Sequence, residues 1–379
     1  MLRLQGNGRE VTAGLDALHS ALVERLDTPQ AIRAAFAAHP RHRFIPDMVW
    51  PDATGLPLYR TADPDRWTRL VYGTDAVTTQ ANDGGGGPRN EPTSSSSAPQ
   101  VMADMIAAAG VHEGMRVLEI GTGTGWNAAI LSSLVGEKGA VTSVEIDPGV
   151  AALARERLTG TGVTVRTAAE PPPGEVYDAV VATCAATRIP RAWLTAADDG
   201  AALVLPWSPH PAAHSTPIAA LTVRGGRASG PFVREAAFMR DRTQRPGDLP
   251  FPGLGQPPAQ APGFPVGSGE LIGSGTLTRL MLMLPGVRLG TGVRPFRSGH
   301  GRIVWTGAGT AWAYVWPDGT VTGGGDRDLG AELADAYRRL REAGLPALDA
   351  FTLEVDPEKD FCRVSCAAVG RHWDHPVTP

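Results

Sequence analysis

The chain is 379 residues long and 42% hydrophobic, with 35 basic against 39 acidic side chains and a formal net charge of −4. That balance argues against a general nucleic-acid or membrane-surface binder; no apolar run reaches bilayer length, and no basic start with an apolar middle marks a signal peptide. Three cysteines, Cys184, Cys362 and Cys366, are too few for a disulfide framework and read as reduced thiols of a cytoplasmic protein.

In chain order, "VTAGLDALHSALVERL" and "TPQAIRAAFAAH" carry apolar residues at helical spacing within residues 10–45, with Thr28 before Pro29 as a helix start. The prolines of "HRFIPDMVWPD" break that pattern. Residues 72–97 read as irregular, centred on "NDGGGGPRNEP", where glycines 84–87 suit either a lid hinge or a plain loop. The run "SSSSAP" then enters a helix with Val101, Met102, Met105, Ile106 and Ala109 at helical spacing. Pro99 fits its first turn, and Ser97 is the expected N-cap.

From residue 116 strands and helices alternate: "RVLEIG", "WNAAILSSLV", "AVTSVEID", "GVAALARERL", "VTVRT", "YDAVVATC", "PRAWLTAA" and "AALVLPW". Strands separated by helix-length segments predict a doubly wound parallel sheet with helices on both faces, an α/β fold. Seven prolines between Pro246 and Pro265 mark a linker. Beyond it "RIVWTG", "TAWAYVWP" and "TVTGGG" predict a strand meander, "LGAELADAYRRLREAG" an amphipathic helix, and "AFTLEVDPEKDFCRVSC" a hairpin. The expected organisation is a helical segment over 1–100, an α/β core over 101–245, a linker over 246–268 and an α+β domain over 269–379.

"LEIGTGTGW" closes the first strand and opens a helix. Gly121, Gly123 and Gly125 let the backbone turn sharply and approach a ligand. The spacing G-x-G-x-G, preceded by the acidic Glu119, differs from the dinucleotide fingerprint G-x-G-x-x-G and resembles motif I of S-adenosylmethionine-dependent methyltransferases. The cofactor implied is S-adenosyl-L-methionine, with S-adenosyl-L-homocysteine as product. Its cationic sulfonium and ammonium make a nearby carboxylate reasonable. In "VEID" the second strand brings Glu145, about twenty residues after the loop, where an acid can accept both ribose hydroxyls.

The helix led by Ser-Ala-Pro, followed by "GMRVLEIGTGTGWNAAIL", "VTSVEID", "YDAVVATCA" and "IPRAWL", resembles the protein-L-isoaspartate O-methyltransferase family over roughly residues 40–207, and "RFIP" is similar to that family's entry segment. The resemblance implies a class I S-adenosylmethionine-dependent methyltransferase, Rossmann-like, with a helical N-terminal segment that serves as substrate and cofactor lid. By position it implies catalytic roles for Ser97 and Ser96 and substrate contacts from Thr93, Ser94 and Ser95. Cofactor contacts follow from Glu119, Gly121, Thr122, Gly123, Gly125, Trp126, Asn127, Glu145 and Ile146. Carboxylate methylation needs no general base, because a carboxylate is ionised at neutral pH.

Four departures qualify the resemblance. "RTAAEPPPG" stands where the family has Gly-Asp-Gly, so no adenine partner is assigned. Gln100 replaces the common His, and the serine run and C-terminal extension look like a branch that modifies ribosomally made peptides. That branch implies a modified precursor peptide of lanthipeptide or graspetide type as partner, with a methylated Asp that closes to a succinimide (aspartimide) and opens to isoAsp. The C-terminal α+β domain is then the expected peptide-recognition part. The alternatives are a repair methyltransferase acting on isoAsp in aged proteins and a non-catalytic accessory that binds S-adenosylmethionine and docks peptides. Neither nucleic acid nor membrane is an expected partner.

Of the remaining features, Trp305, Trp312 and Trp316 are expected as core of the C-terminal domain. Arg294, Arg297, His300 and Arg302 form a basic stretch that suits an acidic peptide or a solvated loop. "HWDH" is expected to be solvent-exposed rather than a metal site. Cys184 is expected to pack beside the cofactor cleft.

Overall fold

The computed structural model describes residues 5–51, 55–86, 91–210, 215–245, 251–253, 259–261, 263–273, 275–297 and 299–377; for residues 5–13 and 259–261 it describes the backbone alone. The chain divides into two compact units, residues 1–184 with 192–204, and residues 185–191 with 205–379.

In the first unit, helices α1 (Gln5–Glu24) and α2 (Gln30–Ala38) precede a 3-10 turn at Arg41–Arg43. Short strands β1 (Met48–Val49) and β2 (Leu58–Tyr59) pair with each other, and α3 (Pro64–Val71) is capped by Asp63, which accepts from Arg66 N. Strands β3 (Val77–Ala81) and β4 (Pro92–Ser96) form an antiparallel pair ahead of α4 (Pro99–Ala108). The α/β core follows: β5 (Arg116–Ile120), α5 (Trp126–Val135), β6 (Ala140–Glu145), α6 (Pro148–Arg157), β7 (Thr164–Thr167), β8 (Tyr177–Ala182), α7 (Arg191–Ala196) and β9 (Ala197–Pro206).

Its strands are parallel in the order β7-β6-β5-β8-β9, the doubly wound arrangement expected from the alternation. A sheet covered by helices on both faces buries whole strands, which is why β5 and β8 read as apolar runs. Val117, Leu118, Val180, Val181, Leu203, Ile130, Leu131 and Ile106 are fully buried. The order reverses between β5 and β8, and the crevice at the carboxyl ends of these strands is where open α/β sheets bind ligands. Gly121, Glu145 and Thr183 all lie there.

The second unit contains an antiparallel sheet of β10 (Ile218–Arg224), β11 (Arg227–Arg234), β17 (Phe351–Val355), β18 (Phe361–Cys366) and β19 (Arg371–Pro376). A second antiparallel sheet has the order β12 (Ala259–Ala261), β16 (Val321–Gly324), β15 (Ala311–Val315), β14 (Gly299–Ala308), β13 (Arg288–Phe296). Helices α8 (Ser268–Gly273), α9 (Thr276–Leu282) and α10 (Leu329–Glu342) complete it, with Leu333, Tyr337 and Leu340 of α10 buried as the periodicity predicts. Trp312 is buried with Ile303 and Tyr314, and Trp305 and Trp316 pack against that cluster.

Several expectations need correction. Residues 72–97 are not irregular throughout, because the serine run forms β4, paired with β3 in the register Thr78↔Ser95 and Gln80↔Ser94. The N-cap of α4 is Ala98, without a side-chain cap, not Ser97; the Ser97 carbonyl is held instead by Arg41 Nη2 at 2.8 Å. "HWDH" belongs to β19 and is not uniformly exposed: His375 is fully buried, Nε2 bonded to Leu282 O at 2.9 Å, and Asp374 binds Arg363. Gly87 of the glycine loop and residues 246–250, 254–258 and 262 of the expected linker lie outside the described residues.

Candidate active site

The glycine loop follows directly from β5. Parallel pairing sets Glu119 beside Ser143 and Ile120 beside Val144, so the loop passes the end of β6. Gly121 has φ +94, and a Cβ there would stand 2.7 Å from Thr183 Oγ1, which donates to Gly121 O at 2.6 Å. Gly123 has φ +53, and its amide donates to Glu145 Oε2 at 2.9 Å. Glu145 Oε1 accepts from Asp147 N at 3.1 Å. The Glu145 carboxylate is thus buried and oriented by two backbone amides, with lone pairs to spare on both oxygens.

Glu119 is fully buried under the same loop. One oxygen accepts from Asn127 Nδ2 at 2.8 Å and the other from Ser143 Oγ, whose oxygen lies 2.6 Å from Thr122 Oγ1. Burial pushes this carboxyl up to about 7, against the hydrogen bonds from Ser143 and Asn127, while the charge of Glu145 adds to the rise. Asn127 Oδ1 is buried with no partner among the described residues. An unsatisfied acceptor beside a buried carboxyl is a place for a cationic donor. The set fits S-adenosylmethionine: Glu145 would take the ribose hydroxyls, and Glu119 with Asn127 would face the amino-acid end.

The serine strand lies against this loop. A Cβ on Gly123 would stand 3.2 Å from Ser95 O and 3.8 Å from Ser94 Oγ. Thr93, Ser94 and Ser96 are buried, and Ser95 and Ser97 are half-buried. Two devices fix the strand. Gln80 on β3 accepts from Thr93 Oγ1 at 2.8 Å and donates to Asp147 Oδ2 at 2.9 Å, while Asp147 Oδ1 caps α6. Arg41, fully buried, donates to Ser96 O at 3.1 Å, Ser97 O at 2.8 Å, Val71 O at 2.9 Å and Asp75 O at 3.1 Å. Its guanidinium also sits 5.1 Å over the Trp126 ring. Burial pushes it down to about 9, with Tyr72 and Asp75 acting the other way.

Among the sequence-predicted residues, Glu119, Thr122, Gly123, Asn127 and Glu145 come together with Ser94 and Ser95. Ile146, half-buried, follows Glu145, and Gly125 is the left-handed residue that starts α5. Trp126 spends its indole N–H on His39 O at 2.8 Å and packs edge-on against Phe36. The Ser96 hydroxyl accepts from Arg41 Nε at 3.4 Å. Sequence reasoning missed Arg41 and Gln80. Arg41 stands two residues before "RFIP", and that segment was the one available signal; nothing distinguished Gln80.

The family model for protein-L-isoaspartate(D-aspartate) O-methyltransferase (PCMT) matches residues 87–216. A protein-L-isoaspartate O-methyltransferase of Methanosarcina mazei is 30% identical over 207 residues, covering 52% of this chain and 73% of that protein. This chain belongs to the PCMT family. The Ignicoccus hospitalis relative is 40% identical over 121 residues, 30% of this chain and 57% of that protein. For that relative and those of Thermotoga maritima and Pyrococcus horikoshii, the match spans 57%, 38% and 52% of their lengths. A solved protein-L-isoaspartate O-methyltransferase shares the fold with TM-score 0.52 at 19% identity, covering 93% of this chain and 99% of that one. The fold is that of class I S-adenosylmethionine-dependent methyltransferases. Because one PCMT structure follows this fold over nearly the whole chain, the C-terminal extension does not by itself separate this protein from the isoaspartate methyltransferases. No helix among the described residues is long and apolar enough to cross a membrane.

Proposed function

We propose that this protein is an S-adenosylmethionine-dependent carboxyl O-methyltransferase acting on isoaspartyl residues of proteins or peptides. The observation that carries the reading is the serine strand laid over the glycine loop, with Ser95 O and Ser94 Oγ against Gly123 and the oriented Glu145 carboxylate beneath. When bound, S-adenosylmethionine supplies a methyl on positively charged sulfur, whose transfer to a carboxylate oxygen leaves a methyl ester and a neutral thioether. The chain's own groups need only orient and desolvate. Ser97, half-buried at the end of the strand, offers a hydroxyl that can hold an anionic oxygen without ionising. Arg41 fixes the two carbonyls that set the path of the strand there, and alignment of this kind supplies much of the rate in such displacements. Charge is neutralised in the transition state, so the burial of the site favours it.

Three sequence features favour a second reading, an aspartate of a ribosomally made, modified peptide of lanthipeptide or graspetide type as acceptor. Gln100, the Trp126-Asn127 pair and the serine run over residues 94–97 are untypical of the repair enzymes and support that acceptor. One comparison decides. Matched peptides with isoAsp and with Asp at one position are incubated with S-adenosylmethionine, and the methyl ester is read by mass. Preferential esterification of the isoAsp peptide supports the first reading, and preference for Asp the second. If both peptides stay unmodified while S-adenosylhomocysteine binds, the enzymatic reading fails.

A further inference from the structure

The outward face of the second unit's β10-β11-β17-β18 sheet carries a groove of about 360 Å³ that the chemistry above does not use. Its charges are uneven. Four cations, Arg224, Arg227, Lys359 and Arg363, line it with two carboxylates, Glu354 and Asp356. Asp356 is taken by Arg227 at 3.1 Å, and Arg363 is held in a two-pronged bond by Asp374 at 2.7 and 2.9 Å. Lys359 rests on the Phe361 ring at 5.2 Å. Arg224 is exposed, and no carboxylate among the described residues lies within ion-pair distance of it.

The register sharpens the point. Strand β10 turns into β11 through Gly225 and Gly226, both at positive φ, and this sets Arg224 directly opposite Arg227. Like charges facing across strands cost stability; Asp356 offsets the charge of Arg227, which leaves Arg224 as the exposed cation of the pair. A bound anion would neutralise it. The face is open, with hydroxyls at Thr222, Ser229 and Thr352, and its cations are spread over β10, β11, the β17–β18 turn and β18, so it suits a chain rather than a compact anion.

We propose that this groove docks an acidic segment of the peptide substrate. The idea rests on the peptide-methyltransferase reading and adds a second attachment point, separate in sequence from the residues assigned to methyl transfer. Crossing from β10 to the Lys359 turn, which joins β17 to β18, passes between two and three strand spacings, roughly 12 Å, which an extended peptide covers in about four residues. The expected recognition element is therefore two carboxylates about four residues apart, one on the Arg224–Arg227 pair and one on Lys359.

The test uses the full chain and fluorescein-labelled synthetic peptides carrying Glu at two positions four residues apart, with the Gln counterpart and inorganic phosphate as controls. Binding is read by anisotropy, without methyl transfer. The Glu peptide is expected to bind at least tenfold more tightly than the Gln peptide and to weaken with salt. Arg224→Ala with Lys359→Ala is expected to weaken it about tenfold while circular dichroism and S-adenosylhomocysteine binding stay unchanged. In turnover, the double variant raises KM for an acidic-flanked substrate and leaves kcat alone. Equal binding of the two peptides, indifference to the double substitution, or full displacement by phosphate at its own weak affinity would overturn the proposal. Binding that survives while no peptide is methylated upholds the groove and sinks the catalytic reading; turnover whose KM ignores the double substitution does the reverse.

Discussion

Replacing Glu119 with glutamine is expected to stabilise the apo protein at alkaline pH. Glu119 is fully buried, and burial raises its carboxyl from 4.5 to about 7. At about 1.4 kcal/mol for each tenfold change in ionisation, the rise corresponds to about 3 kcal/mol. The sign follows from linkage. Between pH 4.5 and 7 the unfolded chain releases a proton that the folded chain keeps, so this group's contribution favours folding below 4.5 and is lost as pH rises to about 7. Glutamine never ionises and escapes that loss. Its amide must find an acceptor where Ser143 now donates; Ser143 can turn to accept it and donate toward Thr122, 2.6 Å away, at a cost of about 1 kcal/mol. Urea denaturation at pH 5.5, 7 and 8.5 should therefore show the variant about 2 kcal/mol more stable than wild type at pH 8.5, with no advantage at 5.5. S-adenosylhomocysteine should show the opposite preference. Its ammonium favours the ionised carboxylate, so wild-type affinity should tighten through pH 7, while the variant binds about tenfold more weakly with a flat profile. A stability difference that does not change with pH would refute the assignment of a buried carboxyl raised to about 7 under the loop.

Arg41→Lys keeps a charge but has three donors where five carbonyls and a hydroxyl now accept, so thermal unfolding should report a loss of about 2–4 kcal/mol. The same variant should lower kcat more than it raises the KM for S-adenosylmethionine, because the Ser96 and Ser97 carbonyls are among those released. Gly123→Ala places a Cβ 3.2 Å from Ser95 O at φ +53, and calorimetry should find S-adenosylhomocysteine binding weakened about tenfold or more. Ser97→Ala should lower kcat about 10–100-fold in a steady-state methyl-transfer assay and leave cofactor affinity intact; an unchanged kcat would remove Ser97 from the proposed site.

The parts of the fold that could be read from sequence are those with short-range causes. Apolar strands alternating with helix lengths can only be buried on both faces, and that gives the parallel order around β5 and β8. The glycines at 121, 123 and 125 sit at positive φ, so their spacing marks the loop in the sequence itself. What stayed hidden depends on a partner far away in the chain. The serine run reads as solvated because its polarity is visible and its ladder is not: β3 pairs with it across the glycine-rich 82–91 connection, and Arg41 satisfies its last carbonyls from 55 and 56 residues upstream. Likewise "HWDH" offered two histidines and an acid, but one histidine faces a helix-end carbonyl and the acid a cross-strand arginine.

The hidden contacts share a physical logic. A strand of hydroxyl side chains buries little apolar surface and cannot hold itself against the glycine loop by hydrophobic contact. It is held by directional bonds, from a buried guanidinium at one end and from the Gln80–Asp147 link at the other. Since Asp147 also caps α6, and Glu145 two residues before it bonds both Gly123 N and Asp147 N, the strand and the glycine loop are braced through one short stretch of backbone. A cofactor that engages Glu145 would thus meet a site whose neighbouring strand is already set in place. This predicts that Gln80→Ala should loosen cofactor and peptide binding together, seen as parallel increases in both KM values. Were only the peptide KM to rise, the brace would be a property of the strand alone and not of the loop beneath it.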